Sequence, residues 1–458
     1  MTVRTAVRTL LFASLVLLPA AAGQADEVAE RIRRVEAQVT PSTVVVSFYI
    51  EREDGARVDA HVLGTVVGKG NLVMFASVAM PSQIPLSQFR GFHVVVTDGD
   101  ELNEYEAEYL GKDEQAQVAF VTVTDAKAPA LPPLEFAEGV EVRLGDPVLT
   151  LANLGEPDGF TRVVQVGRVS ARIDQPVVTY LVTKGLGSPG TPIMTLDGQA
   201  VGIVGLVRIN RATNARPKWS LAEVLWPTER FIARLRNPPK GGASVKQAWL
   251  GVHTLTPVTK DLADYFKLGD RRGVVVGRVI EGSPAEAADI QAEDIILAVG
   301  GEPVSGTEGQ LVENFVNHIR EQDVGEKVTL KVWRDGKTRD VTVTLAPQPK
   351  GPGEAERYAS EAFGMTVREM VVQDRVSREL PPDETGVVVS FLKPAGWAAD
   401  GGLQMSDIVK RVQDRPTPDL ATFKKVFEDV TAKKPDEVVL FVLRGKKDTQ
   451  LVRIEPRW

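Results

Sequence analysis

Apolar residues along this chain follow two spacings. From residue 43 to residue 169 they come in short runs, at 43–50, 62–67, 72–75, 93–96, 119–123, 148–151 and 164–169, with glycines punctuating the turns. Runs of this length and spacing predict the strands of an all-β barrel architecture. Beyond residue 248 the pattern mixes period two with the helical period. Leu311, Val312, Phe315 and Ile319 recur at helical spacing and predict a helix over 310–321, with a second over 420–431. Strands are expected at 273–279, 327–333, 340–345, 386–392, 437–443 and 450–454.

The C-terminal half repeats itself. Trp249-Leu250-Gly251-Val252 answers to Ala362-Phe363-Gly364-Met365, Gly273-Val274-Val275-Val276 to Gly386-Val387-Val388-Val389, and Asp294-Ile295-Ile296 to Asp407-Ile408-Val409. The offset is constant, since 364−251, 386−273 and 407−294 each give 113. It slips by three where Val332-Trp333-Arg334 answers to Val442-Leu443-Arg444. A register kept over that distance marks a duplicated domain. Two Pro/Gly/Lys-rich stretches, 237–242 and 347–353, read as linkers. The expected organisation is an export segment 1–25, a first domain 26–236, a linker 237–247, a repeat copy 248–346, a linker 347–357 and a second copy 358–458.

Residues 183–204 read TKGLGSPGTPIMTLDGQAVGIV. This frame resembles the active-site segment of trypsin-like serine proteases of the HtrA (high-temperature-requirement) family, which carry Gly-Asn-Ser-Gly-Gly-Pro there. In this sequence the frame is Gly187-Ser188-Pro189-Gly190-Thr191-Pro192, and the nucleophile position falls on Pro189. Proline has neither the hydroxyl that attacks nor the N–H that helps hold the oxyanion. The family's histidine motif aligns with 71–80, where Val78 stands at the general base. Its aspartate motif aligns with 111–121, where Gln117 replaces the acid. The 144–153 and 167–171 segments keep the family's surrounding frame. The resemblance therefore implies a degenerate triad at Val78, Gln117 and Pro189 and a pseudoprotease that is not an enzyme, with Ser188 as the fallback nucleophile.

The repeat copies are similar to PDZ domains of bacterial proteases, through Gly-Val-Val-Val, Ser283-Pro284-Ala285 and Asp294-Ile295-Ile296. The second copy departs, with Gly396-Trp397-Ala398 at the Ser-Pro-Ala position. PDZ domains take an extended peptide beside a sheet edge and meet its terminal carboxylate with a glycine-containing loop. Leu250, Gly251 and Val252 form that loop in the first copy, and Phe363, Gly364 and Met365 in the second. The whole layout resembles that of HtrA proteins: mainly β, a chymotrypsin-like double β-barrel followed by two α+β PDZ domains. It implies polypeptide C-termini or unfolded proteins as partners, acting as scaffold, regulator or chaperone, with HtrA paralogues and a homotrimer as further associations. The alternatives are an active serine endopeptidase of periplasmic protein quality control with a rewired site, or a subunit that tunes active paralogues.

Composition narrows this further. A net charge of −7 with interspersed signs argues against nucleic acid as a partner. Arg4 and Arg8 precede an apolar run from Leu10 to Leu18, and small residues follow, with cleavage expected after Ala22 or Ala25. The run is too short to span a bilayer, so a periplasmic or secreted protein without a membrane span in its mature form is expected. With no cysteine, thiol catalysis and thiolate metal sites are excluded. The four histidines are scattered, so neither a metal site nor a cofactor is expected.

Overall fold

The computed structural model describes residues 19–98, 101–183, 185–213 and 216–458; most of the export segment lies outside the described residues. Six strands close a first antiparallel barrel: β1 (Thr43–Glu51), β2 (Arg57–Gly68), β3 (Leu72–Ala76), β4 (Phe89–Asp98), β5 (Glu101–Asp113) and β6 (Val118–Val123). They run in the order β5-β4-β1-β2-β3-β6, with β5 pairing β6 to complete the ring. Val44, Val46, Phe48, Val66, Val73 and Phe75 point inward as the pleat alternates, and pack as its core. A second closed barrel follows, from β7 (Pro147–Asn153), β8 (Arg162–Ile173), β9 (Thr179–Val182), β10 (Pro192–Thr195), β11 (Ala200–Thr213) and β12 (Arg216–Pro227).

The barrels meet through a separate apolar cluster in which Met74, Val118 and Phe120 of the first face Ile203, Val224 and Trp226 of the second. Leading into the first barrel, the helix Pro19–Val39 lays Val35 and Val39, both fully buried, against Leu149, Leu151 and Met194 of the second. Arg31 donates to Asp197 at 2.5 Å and Gln38 to the Gly198 carbonyl at 3.0 Å, so the helix is fastened at the turn between β10 and β11.

Two similar α+β units complete the chain. In the first, Leu311, Phe315 and Ile319 of the helix Leu311–Arg320 are buried against Val274, Ile296, Leu330 and Val332. In the second, Phe423, Val426 and Phe427 of the helix Leu420–Thr431 are buried against Val387, Val409 and Leu440. The strand expected at 273–279 is broken into Val274–Val275 and Arg278–Val279. Between them Val276 N–H bonds the Asp294 carbonyl and Gly277 N–H bonds the Thr254 carbonyl, so the ladder changes partner midway. The architecture is mainly β, two six-stranded trypsin-like barrels with PDZ units after them, in agreement with the fold class read from the sequence.

Candidate functional site

The crevice between the barrels gathers the three segments that the motif reading singled out. After β3 the chain makes a single 3-10 turn, Ser77–Ala79, which leaves the Val78 side chain 56% exposed. Ser77 N–H donates to the Gln117 carbonyl at 3.2 Å, which brings the β5–β6 turn alongside. The loop 186–190 closes on the same place. Gly190, at φ +87°, lies so near β3 that a Cβ there would stand 2.8 Å from the Ala76 nitrogen. Only glycine combines that dihedral with that approach.

Gln117 spans the crevice. Its amide nitrogen donates to the Leu206 carbonyl at 2.9 Å, and its carbonyl oxygen accepts the Leu206 N–H at 2.8 Å. The side chain thus satisfies both backbone groups of one β11 residue, a two-point tie that an aspartate is too short and donor-poor to copy. Truncation as Gln117→Ala leaves that pair without partners and is expected to cost about 1–3 kcal/mol, read as a lowered midpoint in urea unfolding. Asp113, four residues earlier, is buried and plays a framework part. It accepts the Gln115 and Ala116 N–H groups at 2.9 and 3.0 Å and the Arg234 guanidinium at 2.6 Å.

The loop carrying Pro189 is held rigidly. Gly190 N–H bonds the Val204 carbonyl, Val204 N–H bonds the Thr191 carbonyl, and Thr191 Oγ1 donates to the Ser188 carbonyl at 2.7 Å. Leu186 N–H donates to Glu223 Oε2 at 2.9 Å, and Thr150 Oγ1 to the Leu186 carbonyl at 2.7 Å. Ser188 itself is exposed. Among the described residues, the N–H groups of Gly187 and Ser188 have no protein partner. His61 and His93 lie elsewhere, both opposite Ser47 on β1, and His61 Nδ1 sits 3.7 Å from Glu156.

In the first PDZ unit Leu250 is buried, Gly251 takes φ +88°, and Val252 is half-buried. Ala285 N–H bonds the Leu250 carbonyl and Ile280 N–H the Gly251 carbonyl, which fixes the loop. The second unit repeats this, with Ala398 N–H on the Phe363 carbonyl and Lys393 N–H on the Gly364 carbonyl. Phe363 and Met365 are buried and Gly364 takes φ +64°. Burial, then the Arg278 guanidinium, holds the His253 imidazole beside the first loop below its ordinary range.

Comparisons agree with this architecture. A profile of the trypsin-like peptidase domain matches residues 59–203, and one of the PDZ domain matches residues 250–345. A probable periplasmic serine endoprotease DegP-like of Hahella chejuensis is 27% identical over 367 residues, covering 76% of this chain and 74% of its own. One from Marinomonas sp. is 28% identical over 349 residues, covering 74% and 70%. Among solved structures, the HtrA-type protease AlgW with decapeptide gives a TM-score of 0.51 at 16% identity, covering 69% of this chain and 99% of that one. AlgW with tripeptide gives 0.51 at 17%, covering 70% and 99%. Those structures speak to fold alone. The class is thus a trypsin-like peptidase domain joined to a PDZ domain. In sequence the chain is similar to DegP-like serine endoproteases, and in fold to HtrA-type proteases.

This corrects one expectation from the sequence. The absence of triad side chains at Val78, Gln117 and Pro189 implied a protein that is not an enzyme, but the peptidase domain is present and the relatives are named serine endoproteases. Three replaced positions do not remove every hydroxyl from the segment: Ser188, one residue from Pro189, is exposed. Among the described residues, no helix is long and apolar enough to cross a membrane.

Proposed function

We propose that this chain is an exported HtrA-type serine endopeptidase of periplasmic protein quality control whose hydrolytic site is rewired around Ser188. The observation that carries the reading is the pinned 186–190 loop. It holds the exposed Ser188 beside the Gly187 and Ser188 N–H groups, which have no protein partner among the described residues. Paired donors beside a nucleophile are what a developing oxyanion requires. Glu223 accepts the Leu186 N–H and so helps hold the loop two residues before Ser188. The first PDZ domain, through Leu250, Gly251 and Val252, takes the C-terminal end of an extended polypeptide. Names of the relatives support a periplasmic setting, and the basic-then-apolar N-terminus supports export.

Digestion of unfolded casein by the purified chain tests the reading, with an active HtrA protease run alongside. Release of acid-soluble peptides is the expected result. Intact casein at concentrations where the control finishes would overturn it.

A further inference from the structure

The two PDZ units treat the edge of the groove strand differently. In the first, the residues before the carboxylate loop, Ala248–Trp249, pair with Ala346–Pro347. The strands after the loop, Val252–His253 and Thr256–Pro257, pair with Arg278–Val279 and Val274–Val275. Among the described residues no strand lies on their other edge. In the second unit Arg357–Ser360 folds back antiparallel on Met365–Glu369, with Arg357 opposite Arg368, Tyr358 opposite Val367 and Ser360 opposite Met365. The far edge of Met365–Glu369 pairs with Val387–Leu392, so both of its edges are taken.

The segment 357–360 stands where an added peptide strand would stand. It runs toward the Phe363-Gly364-Met365 loop, the sense in which a C-terminal peptide runs. Tyr358 fills the side facing the helix Leu420–Thr431. Its ring lies 6.0 and 6.3 Å from those of Phe423 and Phe427, with Lys424 Nζ 5.9 Å from its centre. The segment is also tied to the first barrel. Arg357 Nη1 lies 3.2 Å from Glu53 in the β1–β2 turn, both largely buried, and Gln88 donates to the same carboxylate.

We propose that residues 357–360 are a built-in occupant of the second PDZ groove. External C-terminal peptide then enters the first PDZ domain, and reaches the second only when this segment is displaced. The inference stands apart from hydrolysis at Ser188, because its readout involves no cleavage.

Residue-resolved hydrogen exchange on the full chain tests it, for wild type, Arg357→Ala/Tyr358→Ser and Glu53→Ala. The last acts from the barrel side and leaves the PDZ fold untouched. The probe is a pool of decapeptides ending in a free carboxylate, randomised at the last three positions among Val, Leu, Ile, Phe and Tyr, with the amidated pool as control. In wild type the pool is expected to slow exchange at 252–257 and leave 365–369 unchanged. In both variants 357–360 is expected to exchange on the order of tenfold faster, and the pool then slows 365–369 as well. A wild-type response at 365–369 equal to that of the variants would overturn the proposal. So would variants in which the pool leaves 365–369 unchanged.

Discussion

Asp294→Ala is expected to lower the thermal transition of the first PDZ unit by roughly 12–24 °C, while leaving the transition of the second in place. Asp294 is fully buried, and its two oxygens take the Arg334 guanidinium in a fork, one of them at 2.5 Å. It also accepts the Gln291 N–H at 2.9 Å. Removing one partner of a buried ion pair strands the other, and costs about 3–5 kcal/mol. Arg334 retains 15% exposure, so part of its charge reaches water and the lower end applies. For a domain of about 100 residues each kcal/mol moves the midpoint by roughly 4–8 °C, and about 3 kcal/mol is a large share of the total. Differential scanning calorimetry on the full chain separates the two transitions. A shift under about 3 °C would show that the fork contributes little, as many exposed pairs do.

The same constellation recurs in the second unit, which explains why the repeat was legible. Asp407 accepts Arg444 Nε at 2.8 Å and Nη2 at 2.6 Å, and it accepts the Gln404 N–H at 2.9 Å. Gln404 and Asp407 sit 113 residues beyond Gln291 and Asp294, whereas Arg444 sits 110 beyond Arg334. The register slip therefore falls between the carboxylate and its guanidinium, in the connection that carries the helix. A buried carboxylate needs its partner, so both copies keep the pair while the intervening chain changes length.

The apolar runs read from the sequence fall on β1–β4 and β6–β8. β5 has no such run. Its outward positions Glu104, Glu106 and Glu108 are exposed, and its inward ones, Tyr105, Ala107 and Tyr109, are only half-buried. Tertiary pairing with β4 and β6 makes it a strand, where local propensity is weak. The 357–360 segment escaped notice for the same reason: Arg-Tyr-Ala-Ser beside a Pro/Gly-rich stretch reads as connection until Met365–Glu369 supplies its ladder. At the crevice, motif spacing pointed to positions 78, 117 and 189. It did not foretell the Gln117 tie to Leu206, 89 residues away, because hydrogen-bond partners so distant leave no local pattern.

Ser188→Ala is expected to reduce casein cleavage by about four to six orders of magnitude, to the level of the buffer blank, since removal of a serine nucleophile typically costs that much. The change touches the chemistry and little else. The described hydrogen bonds of Ser188 run through its carbonyl, to the N–H and Oγ1 of Thr191, and these survive the substitution. An exposed side chain without packing contributes little to stability, so the unfolding midpoint stays within about 0.5 kcal/mol of wild type. Pro189 fixes the backbone beside Ser188 and donates no hydrogen bond of its own. Alanine at 188 retains the Gly187 and Ser188 N–H groups, the donors proposed for the oxyanion. Cleavage that persists unchanged in Ser188→Ala would place the nucleophile elsewhere in the chain.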